Sequence, residues 1–308
     1  MKLRSMMKKI SVITFIFSAL LLTTACSKGK NTLTVGVMPD LDSIPIFVAK
    51  QQGYFDDNIK IEIYQSAMDR DSALYSGNLD GSISDVLAVC QAAEGGFSVY
   101  ATSKTNGRYG IVSGSGSDIT SPKMLEGKEI GLSLNTIIEY VTDCMVEAEG
   151  GDGSLLKKTS VPKIPSRLEL LKNNQIDAVV MPEPYVTAAG KEGQTIVATS
   201  DELGINPGIL LFTKTAVKEK KSEIKAFYEA YDKAVDYINS HENGDFMPDV
   251  IKEAGLPESA IDVVLPQYEK HTLPEKEQVL SAMNWLLDKG LIKTEYEYEE
   301  LVKDIFAD

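Results

Sequence analysis

The chain has 308 residues, of which 25% are charged, and it carries a formal net charge of −14 at pH 7. A surface this acidic repels phosphate groups and argues against binding to nucleic acid. Two histidines and three cysteines, with no metal-ligand spacing among them, argue against a zinc site or a serine–histidine triad.

The amino-terminal segment predicts export. It opens MKLRSMMKKI, with four cations and no acid, and an apolar run of 13 residues follows from Ile10 to Leu22. That run is shorter than the about 20 residues that a transmembrane helix needs, so the segment is typical of a secretory signal. The following LTTAC resembles bacterial lipoprotein signals, although Thr23 stands where leucine is usual. We predict a lipoprotein signal peptide over residues 1–25 and a lipid anchor at Cys26.

Cleavage before Cys26 leaves 27 cations and 45 anions, a net charge of −18. The roughly 280 remaining residues are enough for one large or two medium domains. Cys90 and Cys144 lie in apolar helical patterns that we assign to different lobes below. Two buried free thiols are therefore favoured over a disulfide.

The mature chain alternates short β-rich segments with helical patterns. The first set, in chain order, is TLTVGV, IPIFVAKQQG, IKIEIY, RDSALYSG, GSIS, DVLAVCQAAEGG and FSVYAT. The second set is YGIVS, EIGLS, NTIIEYVTDCMVEAEG, SVPKI, SRLELLKNN, QIDAVVM and TIVATS. A strand, GILLFT, then precedes helices that include SEIKAFYEAYDKAVDYINS and VLSAMNWLLDKG. This alternation predicts mostly parallel sheets covered on both faces.

The two sets resemble each other. TVGVMPDLDSIPIF aligns with EIGLSLNTIIEY, which places Gly131 95 residues after Gly36. RDSALYSGNLDGSISD aligns with RLELLKNNQIDAVVMPE, which gives three pairs at an offset of 97: Arg70 with Arg167, Leu74 with Leu171, and Asp80 with Asp177. Any two strand–helix–strand units share some similarity, but nearly equal offsets favour a pair of equivalent lobes.

The repeat predicts the domain organisation. We assign residues 26–105 and 207–308 to a discontinuous first lobe and residues 106–206 to a second lobe. The carboxyl-terminal helices have no sheet of their own, so we expect them to pack on the first lobe. The chain then crosses between lobes twice, near Ser103–Arg108 and Gly204–Gly208, and two crossings of this kind form a hinge around a ligand cleft.

The candidate site follows from the position of the strand ends. In open α/β sheets, ligands bind beyond the carboxyl ends of strands, where helices begin with free backbone N–H groups. Four segments meet this rule, two in each lobe: Met38–Ser43, Ser82–Asp85, Ser133–Thr136 and Met181–Tyr185. With an arginine near the same edge, they give a predicted substrate-binding set: Asp40, Asp42, Ser43, Arg70, Ser84, Asp85, Asn135, Thr136, Glu183 and Tyr185.

Part of this set also has a purely structural interpretation. Helix capping and the helix dipole account equally for five members: Ser43, Ser84, Asp85, Asn135 and Glu183. Arg70 either binds an anionic group of the ligand or pairs with one of three nearby carboxylates, Asp69, Asp71 and Asp85. The concentration of polar helix starts on one sheet edge in both lobes is what favours a cleft site.

Four segments resemble a known family: VGVMPDLDSIPIFVAKQQGYF, SGNLDGSISD, GKEIGL and LLKNNQIDAVVMPEP. They are similar to the extracytoplasmic solute-binding proteins of ABC importers, in the SsuA/THI5-like (NMT1-like) group, over nearly all of residues 31–300. The resemblance implies an α/β, two-lobe type II periplasmic-binding-protein fold with a hinge of two crossover segments. It also implies a membrane-anchored monomer on the extracytoplasmic face that delivers a small organic solute to ABC permease and ATPase subunits, with no catalytic residue, metal or cofactor.

The resemblance leaves the ligand open between two classes. Alkanesulfonates, taurine or nitrate would be bound by helix N-termini with donors such as Arg70, Ser84, Asn135 and Thr136. A thiamine-like or aminopyrimidine ligand would need carboxylates and aromatic rings, for which the chain offers Asp40, Asp42, Asp85, Glu183, Tyr185 and Tyr109. Four acids against one arginine favour the nitrogenous ligand, with the anion as the alternative.

Two further hypotheses come from other functional classes. The THI5 branch contains an enzyme that makes the thiamine pyrimidine from its own histidine, with pyridoxal phosphate and iron. His241 and His271 both lie in the carboxyl-terminal helical region and no cysteine cluster accompanies them, which disfavours this activity. The remaining hypothesis is a sensing or adhesive lipoprotein that works without a transporter.

Overall fold

Two five-stranded sheets organise the protein, which a computed structural model describes over residues 32–307. The predicted signal peptide and the lipidation residue Cys26 lie outside the described residues. Within residues 32–307, no helix combines the length and apolarity that crossing a membrane requires.

The first sheet has the strand order β2-β1-β3-β10-β4. Its strands are β1 Leu33–Val37, β2 Ile59–Ile63, β3 Gly81–Asp85, β4 Val99–Lys104 and β10 Gly208–Thr213. The sequence predicted a mostly parallel sheet, and β1 does pair in parallel with β2 and β3. Strand β10 is antiparallel to both of its neighbours, because it enters the sheet where β3 ends and pairs Gly208 with Asp85.

The second sheet repeats this pattern with the strand order β7-β6-β8-β5-β9. Its strands are β5 Tyr109–Ser113, β6 Glu129–Leu132, β7 Lys157–Ser160, β8 Ala178–Pro182 and β9 Thr195–Thr199. Here β5 is the antiparallel strand. Strand β7 ends at Ser160, the first residue of the predicted segment SVPKI, because Pro162 cannot donate a hydrogen bond to a sheet.

Helices surround both sheets. Their bounds are α1 Ile44–Gln51, α2 Ala67–Tyr75, α3 Val86–Glu94, α4 Ile137–Ala148, α5 Ile164–Lys172, α6 Tyr185–Lys191, α7 Lys214–Glu219, α8 Lys221–Ser240, α9 Met247–Ala254, α10 Lys276–Asp288 and α11 Tyr298–Leu301. Helix α2 begins three residues before Arg70, because the hydroxyl of Ser66 accepts the backbone N–H of Asp69 and caps it. We call each sheet with its flanking helices a lobe.

The predicted repeat is visible in the hydrogen bonds at the strand starts. The Asp80 carboxylate accepts the backbone N–H of Thr34 at 2.8 Å. The Asp177 carboxylate accepts the backbone N–H of Glu129, also at 2.8 Å. Each aspartate therefore joins the start of one strand to the central strand beside it, and the two lobes use the same device at equivalent positions.

An ion cluster around the buried Asp143 carboxylate joins the lobes away from the two chain crossings. Asp143 on α4 accepts hydrogen bonds from Lys158 Nζ at 2.6 Å, Lys289 Nζ at 2.8 Å and Trp285 Nε1 at 3.2 Å. Asp143 and Lys158 belong to the second lobe, whereas Trp285 and Lys289 belong to α10 and its carboxyl end, which pack on α3 of the first lobe. We call these four residues the interlobe ion cluster.

Replacement of Asp143 by asparagine tests the contribution of this cluster. The change removes a charged hydrogen-bond acceptor and leaves Lys158 with Glu139 as its remaining carboxylate partner, so we expect the free energy of unfolding to fall by about 2 kcal/mol. Asp236→Asn is the matched control, because the Asp236–Lys270 pair is exposed and such pairs contribute at most about 1 kcal/mol. Urea unfolding measures both values, and equal losses would contradict the assignment.

Candidate ligand-binding cleft

The carboxyl ends of the central strands of both sheets meet at a cavity of about 40 Å³. This volume is enough for roughly three water molecules. The first lobe lines it with five polar side chains, Asp40, Asp42, Arg70, Ser84 and Asp85. The second lobe contributes four more, Tyr109, Ser133, Thr136 and Arg167. The rule that placed the candidate site at the strand ends therefore locates a cavity between the lobes.

Six of the ten predicted binding residues line this cavity: Asp40, Asp42, Arg70, Ser84, Asp85 and Thr136. The other four, Ser43, Asn135, Glu183 and Tyr185, lie near its walls without lining it. Contact of any of the ten with a ligand stays a prediction.

Asp40 organises the loop that follows β1. Its Oδ1 atom accepts hydrogen bonds from the backbone N–H of Ser43 at 3.1 Å and from the Ser43 hydroxyl at 2.8 Å. That hydroxyl also accepts the backbone N–H of Met38, so Ser43 serves the loop. Burial, with the charge of nearby Asp42 adding to it, raises the pKa of Asp40 well above its ordinary value.

Asp42 faces both chain crossings. Its carboxylate accepts hydrogen bonds from the hydroxyl of Thr105 and from that of Tyr109, the latter at 3.2 Å. Gly107 and Gly208, one on each crossing, approach it so closely that a Cβ atom would collide with its carboxylate oxygens. Burial raises the pKa of Asp42, and the two hydroxyl hydrogen bonds oppose that effect. Asp42 therefore contacts both chain crossings in addition to lining the cavity.

Asp85 begins α3 at the cavity edge. Its Oδ1 atom accepts the backbone N–H of Ala88 at 2.9 Å, so Asp85, and not Ser84, caps this helix. Burial raises the pKa of Asp85 to about 6, an effect that the charge of Arg70 partly offsets. Among residues 32–307, the Asp85 carboxylate forms no ion pair, so its charge is only partly compensated.

Arg70 has partners in the chain and also lines the cavity. It pairs with Asp71 at 2.8 Å and donates to the Ser84 hydroxyl at 3.0 Å, whereas Asp69 bonds to Ser66. Its Nη1 atom contacts only the sulfur of Met38 among the described residues, at 3.4 Å. Asp71 thus occupies part of the hydrogen-bonding capacity of Arg70. The remaining part is available on the side that faces the cavity.

Arg167 is a cavity residue that the predicted set lacks. Its side chain is 1% exposed and donates to the carbonyls of Val161 and Val180 at 2.7 and 2.8 Å and to the Ser133 hydroxyl at 2.6 Å. Among the described residues it forms no ion pair, and burial lowers its pKa to about 9. Its alignment with Arg70 in the repeat was the signal that would have found it.

The two predicted residues of the loop before α4, Asn135 and Thr136, have different roles. Thr136 caps the helix, because its hydroxyl accepts the backbone N–H of Ile138 at 3.2 Å. Asn135 is exposed, with a left-handed φ of 60°, and its backbone N–H donates to Glu139 at 2.7 Å. Of these two residues, only Thr136 lines the cavity.

Glu183 and Tyr185 lie at the start of α6. The Glu183 carboxylate accepts the backbone N–H of Thr187 at 2.9 Å and pairs with Arg108 at 3.3 Å. Tyr185 is buried, and burial raises its pKa to about 12, with Asp40 contributing. Its hydroxyl has no hydrogen-bond partner among the described residues.

The histidines lie elsewhere. His271 Nδ1 is 2.8 Å from the carboxylate of Asp232, and the ring of His241 stacks on Tyr237. Across residues 32–307, no group of three or more histidine, cysteine or acidic side chains is arranged to hold a metal ion. Cys90 and Cys144 both have free thiols, as predicted, and lie on helices of different lobes; Cys90 is buried as expected, whereas Cys144 is only half-buried.

The model of the NMT1/THI5-like family matches residues 40–243. The chain belongs to this family. The match spans most of the cavity lining of this NMT1/THI5-like protein, from Asp40 to Pro182, and confirms the predicted family. No curated protein sequence matches the chain.

Solved structures confirm the predicted fold class. The ligand-binding component of an ABC-type import system from Staphylococcus aureus, with zinc bound, is 12% identical, with a TM-score of 0.76 over 89% of this chain and 97% of that one. The aliphatic sulphonate binding protein SsuA from Escherichia coli is 14% identical, with a TM-score of 0.73 over 89% and 92%. The desulfurization enzyme DSZB is 12% identical, with a TM-score of 0.65 over 89% and 96%. At these identities the likeness shows the periplasmic-binding-protein fold alone.

The cost of the buried Asp85 charge gives a prediction about pH. Because the folded protein raises the Asp85 pKa from 3.8 to about 6, ionisation of this group lowers the free energy of unfolding as pH rises through that window. Asparagine keeps the capping acceptor. We expect Asp85→Asn to match the wild type near pH 4 and to be more stable by up to about 3 kcal/mol at pH 7. Urea unfolding at both pH values measures this, and a pH-independent difference would contradict it.

Proposed function

We propose that the protein is the extracytoplasmic substrate-binding component of an ABC importer, which closes its two lobes around a small organic solute. We further propose that this solute is nitrogenous, of the thiamine or aminopyrimidine type. Family membership and the two-lobe fold support the transport role, as does the likeness to the binding component from Staphylococcus aureus. The observation that carries the ligand class is the set of three buried carboxylates on the cavity wall.

Asp40, Asp42 and Asp85 are all buried, and burial raises the pKa of each. Isolated carboxylates in such surroundings are costly unless hydrogen-bond donors or a positive charge accompany them. The Oδ1 atoms of Asp40 and Asp85 already serve capping bonds, so we propose their Oδ2 atoms as acceptors for the ligand. An exocyclic amino group or a cationic ring nitrogen would supply the missing partner.

One observation favours an anionic ligand as the second candidate. Arg70 and Arg167 line the cavity from opposite lobes, and Arg167 is buried without an ion pair among the described residues. A sulfonate, taurine or nitrate group between them would restore the pKa that burial lowers. The sulphonate-binding protein from Escherichia coli, which has a similar fold, makes this class the natural alternative.

Catalysis is the less favoured function, although the fold occurs in an enzyme, DSZB. The pyrimidine-forming reaction of the THI5 branch needs a histidine at the site. Neither His241 nor His271 lines the cavity. We therefore propose that the protein binds a solute and delivers it to a transporter. A sensing lipoprotein would use the same binding function without a transporter.

The ligand classes are separable with one variant. Asp85→Asn removes a negative charge from the cavity, so it should weaken a cationic or donor-rich ligand at least about tenfold and leave an anion equally or more tightly bound. Thermal shift and calorimetry with protein lacking residues 1–25 would compare thiamine, its pyrimidine alcohol, taurine, alkanesulfonates and nitrate. Asp236→Asn is the control, because Asp236 does not line the cavity. Binding of sulfonates alone, unaffected by Asp85→Asn, would replace the first candidate with the second.

We also propose that lipidation of Cys26 holds the protein on the extracytoplasmic face of the membrane. Cys26→Ser should move the protein from the membrane fraction to the soluble fraction and abolish labelling with a radioactive fatty acid, because the lipid chains supply the anchor. Cys144→Ser, which removes a thiol from the folded domain, should change neither result. Retention of the Cys26→Ser protein at the membrane in high salt would contradict the anchor.

A further inference from the structure

A second space of about 340 Å³ adjoins the cavity. One wall belongs to the first lobe and includes Met68 and Tyr75 on α2 and Phe97 after α3. The opposite wall belongs to the second lobe and includes Leu134 and Pro162. We call this space the outer groove.

The outer groove and the cavity share a boundary. Ser133, Thr136 and Pro162 line both spaces. On the opposite side, Arg70 of the cavity pairs at 2.8 Å with Asp71 of the outer groove. A solute that is seated in the cavity and is longer than it would therefore extend into the outer groove.

Apolar side chains from both lobes face this space and remain exposed. The exposed fraction is 62% for Met68, 45% for Phe97 and 39% for Leu134. The rings of Tyr75 and Phe97 stack at a centroid distance of 4.4 Å. Aromatic and methionine side chains grouped in this way bind apolar or aromatic partners well, and exposed apolar groups gathered around a groove mark binding surfaces.

Size points to the same division of the site. The cavity of about 40 Å³ is enough for roughly three water molecules, which is less than a heterocycle with substituents occupies. Five charged side chains line the cavity together with apolar ones, whereas the outer groove is several times larger and has one charged side chain, Asp71, in its lining. The two spaces are thus complementary to two different parts of one molecule.

We propose that the outer groove is a second subsite of the cleft, which binds an apolar or aromatic part of the same solute whose polar end enters the cavity. The proposal rests on the proposed binding function and narrows the substrate to molecules with a polar head and an apolar or aromatic extension. Phe97 and Leu134 then determine specificity for the extension, and Asp85 determines specificity for the head.

Calorimetry with two matched pairs of probes tests the subsite. One pair is 4-amino-5-hydroxymethyl-2-methylpyrimidine and thiamine, and the other is methanesulfonate and pentanesulfonate. In whichever pair binds, we expect the longer probe to bind the wild type at least about tenfold more tightly than the shorter one, since each buried methylene contributes to affinity. Phe97→Ser and Leu134→Ser should each reduce that ratio to below about threefold and leave the shorter probe unchanged.

Leu203→Ser is the control, because Leu203 is 41% exposed, close to the 39% of Leu134, and does not line the outer groove. It should leave the ratio at the wild-type value. Equal affinities of the longer and shorter probes would overturn the subsite, and so would an affinity ratio that stays at the wild-type value in both groove variants. In either case, binding of the shorter probe would still support the proposed function. Failure of all four probes to bind the wild type would overturn the proposed function and the subsite with it.

Discussion

The desolvation of charge between the lobes is the constraint on which the rest of the site depends. Three aspartates and two arginines line one cavity, each with at most 6% of its surface exposed, and burial shifts the pKa of each carboxylate upward. The chain offsets part of this cost with hydrogen bonds that also build the scaffold: Asp40 and Asp85 cap helical turns, and Asp42 holds the chain crossings. The same side chains therefore fix the geometry of the cleft and retain hydrogen-bonding capacity for a ligand.

The duplicated lobe explains how these groups come together. Asp80 and Asp177 set equivalent strand starts in the two sheets, and residues at the carboxyl ends of the central strands of both sheets line one cavity. Arg70 and Arg167 then occupy corresponding positions on opposite walls. They differ in one respect, because Arg70 has a carboxylate beside it and Arg167 has only carbonyl and hydroxyl oxygens among the described residues. This difference makes the cleft electrostatically asymmetric.

Sequence reasoning located the cleft because strand ends and helix caps are local features, and it found Asp40 and Asp85 for that reason. It did not predict the direction of β10, which depends on where the chain re-enters the sheet. It could not separate Asn135 from Thr136, since a left-handed φ turns the asparagine outward only in the folded loop. Arg167 lies inside a helix, so only the internal repeat pointed to it. Sequence pattern and spacing do not predict the positions of side chains that long-range packing determines.

The position of the single tryptophan has a practical consequence. Trp285 donates to a carboxylate across the lobe boundary and stands edge-on to Tyr140 at a centroid distance of 5.7 Å. Any rotation that separates these partners changes the polarity and quenching around one indole, and no second indole obscures the signal. Intrinsic emission should therefore follow domain motion in solution in real time, without an attached dye.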